Sequence, residues 1–281
     1  MGMMITINDE NYHQFVDDTH TDDEHGVRAK GLIQRDLSVN PKGSMRASIP
    51  FPKHLLIPRS KWQGVLDKRI AQKAQLSDIR NRGMFGKPIP SRDQNGKGYC
   101  WAHSGVSCLL LLRALQNQPY ADLSAYSVAA TIKKYRDEGG FGAQGLEFIA
   151  ERGCATSATW PQRSMDRSLA KSEKVWADAA NYKFDTWLDV EGAGEDKVDM
   201  FVSLLLWGVP LISDFNWWGH SVSTMELAAI LSLKPLKLRS KIWNSWGDKW
   251  SDNGTGYLEG GKAIPDDFTA PYIPSIMGRA A

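Results

Sequence analysis

The strongest secondary-structure signal in the chain is a helical apolar pattern that follows directly on a glycine-rich loop. Glycine and proline recur between Gly83 and Gly98, as is typical of a loop. From Cys100 to Leu115 the apolar residues then recur at helical spacing, which predicts one buried helix. The first turn of this helix therefore begins with a cysteine. A helix N-terminus carries partial positive charge, which favours the nucleophilic thiolate form of a cysteine.

Helical patterns dominate the first half of the chain, and strand patterns dominate the second half. Further helices are predicted at 62–79, 124–135, 145–151 and 196–207, and strands at 211–215, 220–231 and 238–246. Helices followed by strands are typical of an α+β protein with two lobes. The chain of 281 residues is long enough for such a core, which we place at residues 71–281.

Residues 1–70 differ from the rest of the chain and form a polar N-terminal extension. The stretch from Asn8 to His25 is acidic and contains three histidines, but no metal-ligand spacing repeats in it. We therefore expect a solvated or pro-segment-like arm and no metal site. This arm is expected to dock on the body or on a partner in a larger assembly. Prolines at 41, 50, 52 and 58 indicate an extended path for its later part.

The composition excludes several classes of function. The net charge is +2, from 34 basic and 32 acidic residues, which gives no reason to expect nucleic acid or an anionic membrane as partner. No apolar run approaches the length of a membrane span. Three cysteines do not indicate a disulfide framework, and no secretory signal is visible. We therefore expect a cytoplasmic protein without a cofactor.

A thiolate nucleophile needs a proton-accepting partner and a group that orients this partner. His220 opens an apolar strand pattern, and Asn244 falls on the strand predicted next along the chain. An amide oxygen at Asn244 can accept the imidazole N–H of His220. His103 is an alternative base, but its position one turn into the helix predicts that it points into the lobe interior. We therefore favour His220.

Four motifs in order resemble those of the papain-like cysteine peptidases. Gln94-Asn-Gly-Lys-Gly-Tyr-Cys-Trp-Ala-His-Ser104 resembles the nucleophile motif, and Asn244-Ser-Trp-Gly247 resembles the asparagine motif. Gly139-Gly140 is similar to the substrate-binding glycine pair of that family. The segment 78–83 is similar to the start of its mature domain. The resemblance implies a papain-like α+β fold, in which a helical N-terminal lobe and a C-terminal lobe of antiparallel sheet or barrel flank an active-site cleft.

The resemblance also implies a role for each matching residue. Cys100 attacks the scissile carbonyl, His220 acts as the base, Asn244 fixes the His220 tautomer, and Gln94 donates its amide to the oxyanion. Trp246 covers the Asn–His hydrogen bond, Gly139 and Gly140 admit a substrate backbone, and Phe141 borders the pocket for the second residue upstream of the cleaved bond. The implied function is thiol-dependent hydrolysis of a peptide or protein substrate through a covalent thioester.

The chain departs from the family where many members carry a disulfide. The two expected half-cystines are replaced by Lys97 and Asp137, which suits a reducing compartment and gives a secondary resemblance to the bleomycin hydrolases. Gly219 precedes His220 where many members have Asp or Asn, so specificity cannot be carried over. Two alternatives stay open: another papain-like acyl-transfer enzyme such as an amidase or isopeptidase, and a non-enzymatic structural or assembly protein that retains the fold.

Overall fold

The computed structural model describes residues 4–16, 21–22, 26–27, 29–83 and 87–277. The expected solvated stretch from Asn8 to His25 therefore lies partly outside the described residues, including His20 and His25. The helices are α1 His13–Val16, α2 Trp62–Ala71, α3 Leu76–Arg82, α4 Cys100–Leu115, α5 Ala125–Ile132, α6 Gly142–Arg152, α7 Glu173–Ala179, α8 Gly194–Trp207 and α9 Pro274–Met277. In the described part of the chain, none of these helices has the length and apolar character that crossing a bilayer requires.

The strands lie mainly in the second half of the chain. They are β1 Thr6–Ile7, β2 Thr21–Asp22, β3 Gly26–Val27, β4 Ser48–Ile49, β5 Trp187–Asp189, β6 Leu211–Phe215, β7 His220–Leu233, β8 Leu236–Trp243, β9 Thr255–Gly260 and β10 Asp267–Pro271. Eight of them form one sheet in the order β1-β9-β8-β7-β6-β10-β5-β4, and β2 pairs with β3.

The large sheet is mixed rather than wholly antiparallel as predicted. The strands from β9 to β5 in this order are antiparallel, but β1 pairs with β9 and β4 pairs with β5 in parallel. Both parallel edge strands belong to residues 1–70, for which no strand was predicted. The N-terminal residues therefore complete the sheet at its two edges.

Helix α4 forms the centre of the first lobe, with the predicted bounds confirmed. Every residue from Cys100 to Leu112 is buried. The helix packs against α6 and against the strands β6 and β7. Gly105 permits this close approach, because a Cβ there would lie only 3.2 Å from side-chain atoms of Ile149 and Ile212. The buried helix therefore holds Cys100 against the sheet.

Two apolar cores lie on either side of the cleft, so the predicted two-lobe α+β fold is confirmed. The first core surrounds α4, α5 and α6. The second lies between the sheet and the helices α2 and α8. The N-terminal end of α4 and the beginning of β7 meet between them.

The single helix predicted at 62–79 is wrong, because the structure contains two helices there. Helix α2 ends before Lys73, which adopts a positive φ of 49°. The side chain of Gln75 then donates a 2.9 Å hydrogen bond to the Leu227 carbonyl, and Ser77 bonds to the Glu226 carboxylate. These bonds to β7 direct α3 along a new axis, and local periodicity does not contain that information.

Candidate active site

Cys100 is the first residue of α4 and is completely buried. Burial raises the pKa of its thiol to about 12, and the backbone N–H groups of Ser221, Gly31 and Trp101 act in the opposite direction. The thiol is therefore neutral in this state, although it lies at the helix terminus that favours a thiolate. Burial therefore opposes the thiolate that the helix terminus favours, and Gly31 of the arm lies against the sulfur.

His220 is the first residue of β7, and its orientation is fixed by Asn244. The Nε2 atom lies 2.8 Å from Asn244 Oδ1. That oxygen also accepts the Ser245 backbone N–H at 2.8 Å, which identifies it as the amide oxygen. Nε2 must therefore carry the ring proton, and the lone pair of the neutral ring lies on Nδ1. Nδ1 has no hydrogen-bond partner among the described residues.

Two tryptophans enclose the His220 ring. Trp246 stacks on it, with ring centroids 4.7 Å apart and planes inclined by 25°. Trp218 meets it edge-on at 4.9 Å. Burial lowers the pKa of His220 to about 3, with Asn244 raising it and Lys30 lowering it further. The imidazole is therefore neutral, like the thiol.

Asn244 lies just after β8, not within it as predicted. The chain leaves the strand there to meet the loop that precedes α4. The Gln94 backbone N–H donates to the Ser245 carbonyl at 2.9 Å, and the Gly247 N–H donates to the Arg92 carbonyl at 3.0 Å. This connection brings the asparagine and glutamine motifs together.

Gln94 is buried, and its side chain binds both the body and the arm. Its Oε1 accepts the Ser245 hydroxyl at 2.5 Å. Its Nε2 donates to the carbonyls of Lys97 and Ala29, both at 2.7 Å. Trp246 Nε1 also donates to the Ala29 carbonyl, at 3.3 Å. The amide assigned to the oxyanion is therefore occupied by a carbonyl of the N-terminal segment.

Residues 29–33, here called the cleft segment, run along Gly139 and Gly140. The Gly140 N–H donates to the Gly31 carbonyl and the Ile33 N–H donates to the Gly140 carbonyl, both at 2.9 Å. Leu32, the residue between these two bonds, pairs with Gly140 in parallel orientation. A Cβ on Gly139 would lie 2.5 Å from the Gly31 carbonyl oxygen. The glycine pair therefore admits a closely apposed backbone, which in this state is the chain's own.

Gly31 fits its place only because it has no side chain. A Cβ there would lie 2.1 to 2.4 Å from three backbone atoms of Gly98, in the loop before α4. Contacts this short with backbone cannot be relieved by a rotamer change. The position of the cleft segment against the loop before α4 therefore requires glycine at residue 31.

A cavity of about 580 Å³ lies between the arm and the body. Leu32 lines it from the cleft segment, and Asp214 of β6 lines it from the body. Phe141 is buried at the start of α6, with the Arg35 guanidinium 5.7 Å from its ring centroid. Asp214 was missed in the sequence, although an acidic residue inside the otherwise apolar strand pattern Leu211–Phe215 is a signal for it.

Three further side chains with a sulfur or imidazole group lie outside the candidate active site. They are His103, Cys108 and Cys154. His103 is buried edge-on to Tyr126, with centroids 6.1 Å apart, and burial lowers its pKa to about 3. Cys108 and Cys154 are buried free thiols, each beside a serine. Burial raises both pKa values to about 12, the same value as for Cys100. Cys100 therefore differs from these two thiols in its position at the start of α4, not in its pKa. Lys97 and Asp137, the two residues at the positions where the motif resemblance implies half-cystines, form an ion pair at 3.2 Å.

Comparison with solved structures identifies the fold as papain-like. Xylellain, a cysteine protease from Xylella fastidiosa, is 17% identical and superposes with a TM-score of 0.57 over 86% of this chain and 95% of its own. A stem bromelain precursor matches 83% of this chain and 76% of its own, with a TM-score of 0.54 and 14% identity. Procathepsin L 3 of Tenebrio molitor larval midgut matches 76% and 92%, with a TM-score of 0.52 and 13% identity.

Among curated proteins, the chain is similar to Peptidase 1 of Dermatophagoides farinae. The two are 20% identical over 66% of this chain, and the match spans 61% of the mite protein's length. No protein-family model matches the chain. The resemblance to papain-like peptidases found in the motifs is thus confirmed in the fold and in the curated relative.

Proposed function

We propose that the protein is a cysteine peptidase with Cys100 as nucleophile, His220 as base and Asn244 as the residue that orients the base. One observation carries this assignment. The Asn244 amide fixes the proton of His220 on Nε2 and leaves Nδ1 without a partner, beside the helix that begins with Cys100. This is the tautomer that a thiol-activating base requires.

Catalysis begins when the proton of Cys100 moves to His220 Nδ1. The thiolate attacks the scissile carbonyl carbon, and the oxyanion receives the Cys100 backbone N–H and the Gln94 amide. His220 then gives its proton to the leaving amine as the C–N bond breaks, which leaves a thioester on Cys100. Water, deprotonated by Nδ1, attacks the thioester. The acyl product leaves as a carboxylic acid, and the thiol is restored.

We further propose that the described state is latent. The Gly31 N–H faces the sulfur and lowers the thiol pKa, so the arm presents a donor rather than an electrophilic carbon to the nucleophile. The Ala29 carbonyl occupies the Gln94 amide. The solved structures similar to this chain include a precursor and a proenzyme. Displacement of the cleft segment would admit water, lower the thiol pKa and raise the imidazole pKa, which favours an ion pair between the Cys100 thiolate and the His220 imidazolium.

A non-catalytic protein that retains the fold is the second candidate, because the occupied cleft is equally consistent with a scaffold. Peptide hydrolysis separates the two. Gly31→Val should expel the cleft segment, so the full chain with this change should hydrolyse peptidyl coumarylamides at least about tenfold faster than the wild type, as expected when an occupied state is relieved. Gly64→Ala, in open space on α2, is the matched control and should not activate.

The double variant Gly31→Val/Cys100→Ala should show no thiol-dependent hydrolysis. Equal hydrolysis by the single and double variants would contradict the role of Cys100. A folded Gly31→Val chain that cleaves no peptide would favour the scaffold. Release of coumarin fluorescence measures all four proteins, and thermal unfolding confirms that each is folded.

A further inference from the structure

The cavity between the arm and the body lies where a chain bound along Gly140 would place a side chain, because Leu32, which pairs with Gly140, lines it. The residues on either side of Leu32, Gly31 and Ile33, are hydrogen-bonded to Gly140, and Leu32 lines this cavity. Gly142, two residues further, donates its N–H to Asp214 Oδ2 at 2.9 Å. A substrate residue that replaced Leu32 at Gly140 would therefore project its side chain toward Asp214.

The body supplies mainly acidic groups to this cavity. Its described lining carries four carboxylates from three separate parts of the body and one cation, Lys197. These carboxylates are Glu191, Asp214, Asp266 and Asp267. The ammonium of Lys197 is bound to the Asp266 backbone carbonyl. The body alone thus forms a pocket with an excess of negative charge.

The arm supplies the positive charges that balance it. Arg35, which lines the pocket, makes a bidentate ion pair at 2.7 and 2.9 Å with Asp189, the residue before the lining residue Val190. Lys42 lies 3.2 Å from Asp189 and 2.6 Å from Asp267. When the arm leaves, these carboxylates lose their cations. The basic residues of the arm therefore indicate that the carboxylates of the pocket accept cationic side chains.

Asp214 has an oxygen that the folded chain leaves unused. The residue is 5% exposed, and its Oδ1 has no hydrogen-bond partner among the described residues, while Oδ2 receives the Gly142 N–H. The Ser221 hydroxyl also interacts with this carboxyl. Burial, together with Asp267, raises its pKa to about 7. A buried carboxylate without a full set of partners is costly to a fold. A cationic guest in the cavity would supply the missing partner.

We propose that, after the arm is displaced, this pocket binds the lysine or arginine side chain of the substrate residue that pairs with Gly140, and that Asp214 determines this preference. The inference rests on the proposed peptidase function, since it specifies the substrate of the same cleft. With the arm in place the cavity already has a volume of about 580 Å³, which accommodates either side chain. The chemical class of substrate is a peptide with a basic residue at the second position upstream of the cleaved bond.

The test uses two coumarylamides that differ only at that position, benzyloxycarbonyl-Arg-Ala and benzyloxycarbonyl-Leu-Ala. The enzyme is the full chain with Gly31→Val, Arg35→Ala and Lys42→Ala, here called the open-arm variant, because Arg35 and Lys42 otherwise stay in the pocket. We expect kcat/KM for the arginine substrate to exceed that for the leucine substrate about 10- to 100-fold, the range of one charge-assisted hydrogen bond. Adding Asp214→Asn should bring this ratio close to one.

Two controls accompany this measurement. Glu173→Gln changes an exposed carboxyl on α7 outside the pocket lining and should leave the ratio high. Gly31→Val alone keeps the pair between Arg35 and Asp189, so it provides a second background if the open-arm variant does not fold. In that background the preference for arginine should be smaller but still depend on Asp214.

Binding separates failure of the pocket from failure of the proposed function. The open-arm variant with Cys100→Ala should bind benzyloxycarbonyl-Arg-Ala amide more tightly than its leucine counterpart, as measured by calorimetry. If neither coumarylamide is hydrolysed but the arginine peptide binds more tightly, the pocket inference stands and the peptidase proposal fails. Equal rates and equal affinities for the two peptides, or no binding of either, would overturn the pocket inference.

Discussion

On one side of Gly140 the cleft contains Cys100 and His220, both buried and both neutral, whereas the other side contains a cluster of carboxylates. The His220 ring is oriented by the Asn244 amide and enclosed by tryptophans of the body. The carboxylate of Asp189 instead receives its cations from the arm. The body therefore sets the orientation of the His220 ring, whereas the arm supplies the cations that balance Asp189.

This difference shows that the N-terminal arm can block catalysis and substrate binding by two separate physical effects. At the catalytic side the cleft segment removes water, so that the thiol and imidazole lose their charges. At the acidic side the arm adds charge and forms a buried ion pair. Changes on the catalytic side should therefore alter the rate of chemistry, and changes on the acidic side should alter the stability of the closed state.

The largest effect is expected from Gln94→Ala on the catalytic side. In the Gly31→Val chain, loss of this donor should lower kcat about 10²- to 10³-fold, the range for one oxyanion donor. Because Gln94 also accepts the Ser245 hydroxyl, Ser245→Ala serves as the matched control. Ser245→Ala loses the hydrogen bond between residue 245 and Gln94 Oε1 but keeps the Gln94 amide that donates to the oxyanion. A loss of kcat as large in Ser245→Ala would mean that Gln94 acts through folding.

An intermediate effect is expected from Arg35→Ala on the acidic side. Removing one partner of a buried ion pair typically costs about 3–5 kcal/mol. Lys42, 3.2 Å from Asp189, and the Gly43 N–H remain in Arg35→Ala and reduce this cost. The side chains of Arg35 and Asp189 are 2% and 0% exposed. Amide hydrogen exchange in residues 29–43 should accelerate accordingly, because the closed state becomes less stable relative to the open one.

The exposed pair of Arg46 and Glu151 provides the comparison for Arg35. Arg46 is 82% exposed and lies 3.3 Å from its partner. Such pairs contribute about 0–1 kcal/mol, so Arg46→Ala should leave exchange in residues 29–43 almost unchanged. Equal acceleration in the two variants would contradict the view that the arm is anchored by the buried pair.

The smallest effect is a pH dependence that originates at Asp214. Its pKa is raised from 3.8 to about 7 by burial and by Asp267, while the Ser221 hydroxyl, the Gly142 N–H and Lys42 lower it. At a pH between 3.8 and about 7, Asp214 is therefore protonated in the folded chain and ionised in the unfolded chain. The stabilisation is full below the unfolded pKa and is lost as the pH rises through about 7. Lys197 lies in the same pocket and is present in both the wild type and Asp214→Asn, so its own titration does not distinguish them.

Thermal unfolding at several values between about pH 4 and pH 7 measures this contribution. The Tm of the wild type should fall relative to that of Asp214→Asn as the pH rises. Glu173→Gln should keep the slope of the wild type. Parallel Tm curves for the wild type and Asp214→Asn would show that Asp214 is not protonated in the closed state.

The sequence contains enough information for the scaffold of the catalytic side. The apolar spacing from Cys100 onward predicts α4, and the apolar pattern at 211–215 predicts β6 with its observed bounds. These elements are set by burial on one face, which periodicity records. Motif resemblance then places Gln94 and Asn244 near that helix. Their roles in catalysis stay predictions.

The acidic side was not predictable, because it depends on contacts between distant residues. Arg35 and Asp189 are 154 positions apart, and nothing in the local pattern of either indicates the other. The short strands β1 and β4 are stabilised by pairing at the sheet edges rather than by their own periodicity. Gly31 likewise gains its importance only from the position of Gly98.

Labelling with a thiol-directed epoxide tests the central claim most directly, because it reports on the nucleophile and the arm together. We expect the Gly31→Val chain to be alkylated at Cys100 at least about tenfold faster than the wild type, since exposure and a restored thiolate both accelerate the reaction. Peptide mapping should find Cys108 and Cys154 unmodified in both proteins. Absence of labelling in folded Gly31→Val, or equal labelling of Cys154, would contradict the account.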